Sequence, residues 1–138
     1  RDEEANRRTR RDGWFRTGDV GRLDEDGYLW FVDRRTDLIK SGGENIAGAE
    51  VERVIAEHPL VAEVAVIGVP DERWDEVPKA FVILREPAPE AAEEIRRHCL
   101  NNLAKYKVPK YIEVVDALPR NDSGKVLKTK LREREGLG

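Results

Sequence analysis

The spacing of apolar residues along this 138-residue chain changes several times, and each spacing predicts a different element. Two short apolar runs, Val20 to Leu23 and Tyr28 to Val32, flank the turn-forming stretch Asp24 to Gly27, which predicts a β-hairpin. Before them, residues 2 to 11 are polar and charged without an apolar face. We therefore predict a solvent-exposed helix there, or the remnant of one, broken by Asp12-Gly13.

From Leu38 onward the pattern predicts helices packed on a small sheet. The expected order is a helix over 49–57, strands over 61–69 and 78–84, a helix over 89–103, a strand over 111–115 and a short helix over 127–133. The run from Val61 to Val69 is almost wholly apolar, so we expect it at the centre of the sheet. In the long helix we expect four residues to face inward, namely Ile95, Cys99, Leu100 and Leu103.

These elements predict an α+β fold. Its small carboxyl-terminal domain would contain a central, mainly antiparallel sheet of about three strands flanked by helices. The dense charged stretch Asp33 to Asp37 separates this domain from the preceding hairpin and is the best linker candidate. We place the boundary at Thr36, so that residues 1–35 form one segment and residues 36–138 the other.

Composition narrows the class of protein. The net charge of −3 disfavours a dedicated nucleic-acid binder, although Lys and Arg outnumber Asp and Glu by 9 to 5 from Lys105 onward. Nucleic-acid binding through this tail would need stacking aromatics, of which it has only Tyr106 and Tyr111. The single cysteine, Cys99, provides neither a disulfide framework nor a cysteine metal site. With no apolar run near the ~18 residues of a membrane span, we expect a soluble, cytoplasmic protein.

Two polar loops offer opposite charges to a nucleotide. In the stretch from Leu118 to Lys125, a glycine precedes a lysine that can present an ammonium to phosphate. In the stretch from Phe15 to Asp19, a glycine precedes an aspartate whose carboxylate can accept hydrogen bonds from ribose hydroxyls. A nucleotide has both a phosphate and a ribose, so a nucleotide site needs both the ammonium and the carboxylate.

Four motifs, in this order, resemble the adenylate-forming superfamily of acyl-CoA synthetases, peptide-synthetase adenylation domains and luciferases. They are Gly13 to Asp19, Asp33 to Ile46, Gly68 to Asp71 and Pro119 to Lys125, and together they extend over nearly the whole chain. The resemblance implies an enzyme that joins a carboxylic acid to the α-phosphate of ATP. The acyl group would then pass to CoA, with release of AMP.

The resemblance also implies roles for single residues. Lys125 would be catalytic, because its positive charge would reduce the repulsion between a carboxylate and the phosphate that it attacks. Asp19 and Arg34 would bind the nucleotide, and Thr36 would be the hinge, where the family most often has Asp or Lys. The expected CoA-binding residues are Ser41, Gly42, Gly43, Glu44 and Lys105. No metal ligand is expected, since the Mg²⁺ ion would be held mainly by the large domain.

On this interpretation the chain is the carboxyl-terminal fragment of an acyl-CoA synthetase, inactive alone. Residues 1–35 would be the end of the large amino-terminal adenylating domain, which would be its partner together with ATP, CoA and a small carboxylic acid or fatty acid. Asp75 departs from the family pattern, because many relatives have glycine there. Two alternatives remain open: a non-enzymatic stand-alone domain that binds a carrier protein or another partner, and a fragment of a peptide-synthetase adenylation domain.

Overall fold

The computed structural model describes residues 3–137, so Arg1, Asp2 and Gly138 lie outside the described part of the chain. The chain divides after Thr36 into two compact units. The first unit contains α1 (Glu3–Thr9), β1 (Arg10–Arg11), β2 (Trp14–Phe15), β3 (Asp19–Leu23) and β4 (Leu29–Arg34). In the described residues 3–137, no helix is long and apolar enough to cross a membrane.

The first unit consists of a short helix followed by two hairpins. Strands β1 and β2 pair in antiparallel fashion around Asp12 and Gly13. Both turn residues have positive φ, 52° and 82°, as a two-residue type I′ turn requires. The helix predicted to reach Arg11 therefore ends at Thr9, because the next two residues pair as a strand. The hairpin predicted over residues 20–32 is confirmed as β3 and β4.

Asp24 organises the turn between β3 and β4. Its Oδ1 accepts hydrogen bonds from the backbone N–H groups of Asp26 at 3.1 Å and Tyr28 at 2.8 Å. Its Oδ2 accepts one from the indole of Trp30 at 2.6 Å. The bond from Trp30, followed by that from Tyr28, lowers the pKa of the Asp24 carboxyl, so the ionised side chain is the form that closes this turn.

The second unit is the predicted α+β domain, with a larger sheet than expected. Its strands are β5 (Leu38–Ser41), β6 (Glu44–Ala47), β7 (Val61–Asp71), β8 (Asp75–Leu84) and β9 (Tyr111–Val114). Its helices are α2 (Gly48–Ala56), α3 (Ala91–Asn102) and α4 (Lys128–Arg134), with a 3₁₀ turn at Lys105–Lys107. The sheet is mainly antiparallel, as predicted, and only the pairing of β8 with β9 is parallel among these strands. It has five strands rather than about three, because residues 38–47 form a hairpin that the apolar pattern left unassigned.

Strand β8 is the centre of the sheet. One edge of β8 pairs with β7 along its length, from Val61↔Leu84 to Asp71↔Asp75. The other edge pairs with β9 and, through Ser41↔Asp75, with β5. The prediction that the apolar run from Val61 lies at the centre of the sheet is therefore wrong, since β7 is an edge strand. Its composition reflects cover on both faces rather than a central position.

Alternate residues of β7 and β8 enter two separate cores. On one face, Val66 and Val82 pack with Ile55 of α2 and with Ile95 and Cys99 of α3. On the opposite face, a second cluster of buried residues contains Ala65, Ile67, Phe81, Leu118 and Leu131, the last of which belongs to α4. The sheet is thus a middle layer between two helical layers.

Helix α3 confirms most of the predicted inward face. Ile95 and Cys99 are buried and Leu103 is half-buried. The prediction that Leu100 faces inward is wrong, because half of its surface is exposed. Ala91 takes the remaining buried position, four residues before Ile95. Burial raises the pKa of the Cys99 thiol to about 11, so this cysteine is an uncharged filler of the core at neutral pH.

Two histidines pack against each other where α2 ends beside α3. The ring centroids of His58 and His98 are 5.3 Å apart in an edge-to-face arrangement. His98 Nε2 lies 2.9 Å from the Val54 carbonyl oxygen, and His58 Nδ1 accepts a hydrogen bond from the Leu60 N–H at 3.3 Å. Burial and then His98 lower the pKa of His58, against a smaller opposing effect of the Glu94 carboxylate. The fold therefore favours neutral His58.

This preference predicts a pH-dependent stability. Because the unfolded chain takes up a proton at His58 near its ordinary pKa of 6.5 and the folded chain does so only at lower pH, the free energy of unfolding should fall as the pH drops below 6.5. Urea unfolding at several pH values between about 5.5 and 7.5 measures the slope. His58→Gln should flatten it, and equal slopes for the two proteins would contradict the assignment.

Candidate functional site

The glycine-rich motif forms a tight hairpin. Ser41 pairs with Glu44, so that Gly42 and Gly43 are the two turn residues between β5 and β6. Their φ values of 57° and 88° lie in the left-handed region that a type I′ turn requires and glycine adopts most readily. Gly42 also donates its N–H to the Trp74 carbonyl oxygen at 2.8 Å, which ties this hairpin to the turn between β7 and β8.

A groove of about 490 Å³ opens beside this hairpin. Four of the five predicted CoA-binding residues line it: Ser41, Gly42, Glu44 and Lys105. Gly43 is not among the lining residues. Sequence analysis did not assign to this site the apolar lining of Val77, Pro78 and Val108, or the ring of Tyr106. Apolar walls that end at ammonium groups suit a slender ligand with an anionic end.

Trp74 forms one side of the groove and is fixed by its turn. Asp71 Oδ1 accepts hydrogen bonds from the backbone N–H groups of Arg73 at 3.0 Å and Trp74 at 3.1 Å. The indole packs on Gly42 so closely that a Cβ at that position would lie 2.7 Å from Trp74 Cε3. Asp75 has a φ of 72°, so it takes the left-handed conformation that glycine adopts more readily than other residues.

The lysines around the groove differ in how far they are neutralised. Lys110 pairs with Asp71, and this hydrogen bond raises the pKa of Lys110 and lowers that of Asp71. Lys107 Nζ lies 2.7 Å from Glu50 Oε2, and the hydrogen bond to Glu50 raises the pKa of Lys107. Lys105 is exposed and has no ion-pair partner in the part of the chain that the structure describes. It is therefore the ammonium most available to an anionic ligand.

Arg96 holds the backbone that carries these lysines. From α3, its Nη1 donates to the Pro109 carbonyl oxygen at 2.6 Å and its Nη2 to that of Lys110 at 2.9 Å. Two charge-assisted bonds to adjacent carbonyls fix the loop after the 3₁₀ turn. Sequence analysis missed this contact, because an arginine on the polar side of a helix carries no signal of its partner.

The Lys125 loop is a closed turn organised by Asn121. The side-chain oxygen of Asn121 accepts hydrogen bonds from Ser123 N at 3.2 Å, Ser123 Oγ at 2.8 Å and Lys125 N at 2.8 Å. Gly124 has a φ of 82°, and Arg120 and Val126 form a β-bridge at the base. Lys125 is exposed, and no described residue forms an ion pair with it. The turn therefore presents an ordered backbone and an ammonium that no carboxylate neutralises.

The Lys125 loop and the groove lie at opposite ends of the β7–β8 hairpin. Arg120, at the base of the loop, pairs with Glu63 near the start of β7. The groove lies by the turn at the other end, where Asp71 pairs with Asp75 and Asp75 with Ser41. Eight residues separate Glu63 from Asp71 in this strand, which corresponds to about 26 Å at ~3.3 Å per residue.

In the first unit, the structure brings the two predicted nucleotide-binding residues together. Asp19 and Arg34 are register partners on β3 and β4, with Arg34 Nε 3.6 Å from Asp19 Oδ1. The Asp19 N–H donates to Thr17 Oγ1 at 3.1 Å, and Gly18 precedes it with a φ of 81°. Thr36, the predicted hinge, is exposed and is the last residue of this unit.

Within residues 3–137, no group of three or more His, Cys, Asp or Glu side chains is arranged to hold a metal ion. The ammonium groups of Lys105 and Lys125 and the guanidinium of Arg34 suit organic anions.

The chain belongs to the family described as the AMP-binding enzyme C-terminal domain, whose model matches residues 50–125. It is 53% identical over 126 residues to a 2-succinylbenzoate–CoA ligase of Listeria monocytogenes, a match that covers 91% of this chain and 27% of that protein. These matches confirm the resemblance to the adenylate-forming family.

Solved structures agree in fold. An o-succinylbenzoate CoA synthetase from Bacillus subtilis, in complex with its acyl-adenylate intermediate, has a TM-score of 0.86 and 48% identity over 94% of this chain and 26% of its own. The same enzyme has also been solved with ATP and magnesium. A Mycobacterium tuberculosis fatty acyl CoA synthetase has a TM-score of 0.72 and 49% identity over 95% of this chain and 26% of its own. The chain thus spans about a quarter of the length of these relatives.

The contact between Gly42 and Trp74 predicts a context-dependent cost of substitution. Gly42→Ala should lower the free energy of unfolding by roughly 1–2 kcal/mol through its positive φ. The new methyl group should cost about 1 kcal/mol more by displacing the indole. Urea unfolding of Gly42→Ala in the wild-type and Trp74→Ala backgrounds separates the two effects. The cost should be smaller without the indole, and an equal cost in both backgrounds would show that the ring does not constrain this position.

Proposed function

We propose that this chain is the carboxyl-terminal part of an ATP-dependent acyl-CoA synthetase. The enzyme would convert a carboxylic acid and ATP to an acyl-adenylate, and the acyl-adenylate and CoA to acyl-CoA and AMP. The observation that carries this proposal is the placement of Lys125, which no described carboxylate pairs, and of a groove of about 490 Å³ at opposite ends of one hairpin. Glu63 and Asp71, the residues of β7 next to the two sites, are about 26 Å apart. Such a separation suits two successive reactions at one centre, each of which requires a different end of the domain.

Lys125 serves the first half-reaction in this proposal. A carboxylate that attacks the α-phosphate of ATP brings two negative charges together, so a cation between them stabilises the transition state more than the separated reactants. The closed turn supports this role because it holds the backbone of Lys125 by the side chain of Asn121 while leaving the ammonium without a carboxylate partner in the described chain.

The groove serves the second half-reaction. Its apolar lining would hold the pantetheine arm of CoA, and Lys105 would meet the phosphates. The glycine turn supports this assignment because the absence of a side chain at Gly42 lets the Trp74 indole, which lines the groove, pack against it. The charge on Lys105 is not cancelled by a described carboxylate, whereas that on Lys110 is paired with Asp71. CoA is therefore the proposed thiol acceptor.

Asp19 and Arg34 would bind the ribose and phosphate of the nucleotide from the first unit. Their register pairing supports a common ligand, since a carboxylate can accept from ribose hydroxyls while the adjacent guanidinium meets a phosphate. The Mg²⁺ ion that accompanies ATP would be held mainly by the large adenylating domain. We further propose Thr36 as the hinge about which residues 36–138 move.

Residues 1–35 would form the end of that large domain. The support is an unusual amount of exposed apolar surface on the two hairpins, where seven large side chains are more than half exposed: Trp14, Phe15, Leu23, Tyr28, Leu29, Trp30 and Phe31. Exposed apolar patches of this kind mark surfaces that pack against another element. A large amino-terminal domain is the proposed occupant, and the matched stretch is only 27% of the Listeria monocytogenes relative.

In this proposal, parts of the enzyme outside this stretch determine which carboxylic acid is accepted. Over this stretch the chain is 48% identical to a synthetase named for o-succinylbenzoate and 49% identical to one named for fatty acids. Sequence identity over this stretch therefore reflects the reaction that we propose for both enzymes, adenylation and transfer to CoA, and not the acid. We propose a small carboxylic acid or fatty acid as the substrate class and the cytoplasm, which supplies ATP and CoA, as the location.

The role of Lys125 predicts a selective loss of activity. In the complete protein, Lys125→Ala should slow acyl-adenylate formation by about 10²- to 10³-fold, because one preorganised charge is lost. Thioester formation from preformed acyl-adenylate should change little. Pyrophosphate release without CoA measures the first step, and acyl-CoA formation from supplied adenylate measures the second.

The matched control is Lys130→Ala, which removes an exposed lysine of α4 that pairs with Glu133. It should leave both steps near wild-type rates. Equal damage to both steps by Lys125→Ala, or equal effects of the two substitutions, would refute the adenylation role.

A further inference from the structure

Two charged residues from distant parts of the second unit meet beside the predicted hinge. Arg132 Nη2 lies 2.9 Å from Asp37 Oδ1, and the side chains are only 23% and 20% exposed. Asp37 directly follows Thr36 and is the first residue of this unit. Arg132 lies on α4, the helix that begins three residues after Lys125. The ion pair therefore joins the chain leaving the hinge to the helix that carries the Lys125 loop.

The number of residues between the hinge and each of the two sites is very different. Strand β5 begins at Leu38, so the glycine hairpin follows the hinge within a few residues. The Lys125 loop is reached only after the chain has passed through the whole sheet and α3. A direct side-chain contact is thus the short mechanical path from the hinge to the Lys125 loop, and the glycine hairpin does not need one.

Two other ion pairs of α4 lead to the body of the domain. Lys128 lies 2.8 Å from Glu52 Oε1 on α2, and Arg134 pairs with Glu113 on β9. These contacts hold the helix against the sheet. Arg132 differs because it pairs with Asp37, the residue at the exit of the hinge. A partly buried pair of this kind keeps more of its strength than an exposed one.

We propose that Arg132 is a positioning residue for adenylate formation, which acts by fixing the Lys125 loop relative to the hinge through Asp37. This inference rests on the proposed function. It assigns Arg132 no contact with substrate, so its loss should misplace Lys125 without removing any reacting group. Displacements of about 1 Å can cost up to 10²-fold in rate when a catalytic group must meet a reacting centre.

The test is Arg132→Gln in the complete protein, with the two half-reactions measured separately. The single-turnover rate of pyrophosphate release without CoA should fall about 10-fold or more, with little change in the ATP concentration that gives half the maximal rate. Thioester formation from preformed acyl-adenylate should stay within about twofold, because the glycine hairpin keeps its own path to the hinge. A purely structural role would lower both steps together, so the split between them is the informative readout.

Three variants sharpen the result. Arg134→Gln, on the same helix, removes the pair with Glu113 and should leave both steps near wild type. Arg132→Lys keeps the charge and should recover part of the lost rate. Asp37→Asn removes the same ion pair from its other side and should reproduce the selective loss, also if Arg132→Gln does not fold.

Equal losses in both half-reactions, or none in Asp37→Asn and Arg132→Gln, would overturn the positioning role while leaving the proposed function intact. If the wild-type complete protein forms no acyl-adenylate from any carboxylic acid, the proposed function fails and this inference fails with it.

Discussion

The pairing of β7 with β8 is the constraint on which the second unit depends. Strand β8 bonds to β7 along one edge and to β9 and β5 along the other, so each remaining strand is attached through it. Alternate side chains of the same hairpin enter both cores, one under α2 and α3 and the other under α4. A register slip of one residue would exchange these two faces and misplace every helix. The long antiparallel hairpin, not any single site residue, therefore sets the geometry of the domain.

That constraint gives the domain two chemically different ends. At the turn of the hairpin, Trp74 and the Gly42-Gly43 turn border a groove with apolar walls and an available ammonium on Lys105. Near the start of β7, Arg120 and Glu63 hold the base of a loop that presents Lys125. Because the sheet between them is packed on both faces, the two ends cannot approach each other. An enzyme that needs both ends at one centre must therefore move the whole domain, which is why the residues around Thr36 matter in this account.

Sequence reasoning succeeded where a local pattern is sufficient. The β3–β4 hairpin and the three helices after Thr36 could be predicted because turn residues and helical spacing are local signals. One groove is lined by four residues that the resemblance grouped, Ser41, Gly42, Glu44 and Lys105, and their role in CoA binding stays a prediction. It failed where the outcome depends on a partner elsewhere. The β5–β6 strands are only four residues each, and β7 is apolar because both its faces are covered. The contacts of Arg96 with Pro109 and of Asp37 with Arg132 join residues that no sequence pattern connects.

The central claim, that one rigid domain presents its two ends in turn, is tested most directly by restricting the hinge. Proline fixes φ near −65°, so Thr36→Pro in the complete protein should limit the backbone change at the boundary between the units. The two half-reactions are then measured separately in the same preparation. The account predicts that one of them keeps a rate close to wild type while the other falls by at least about 10-fold. Rates that are both unchanged, or that fall together, would contradict it.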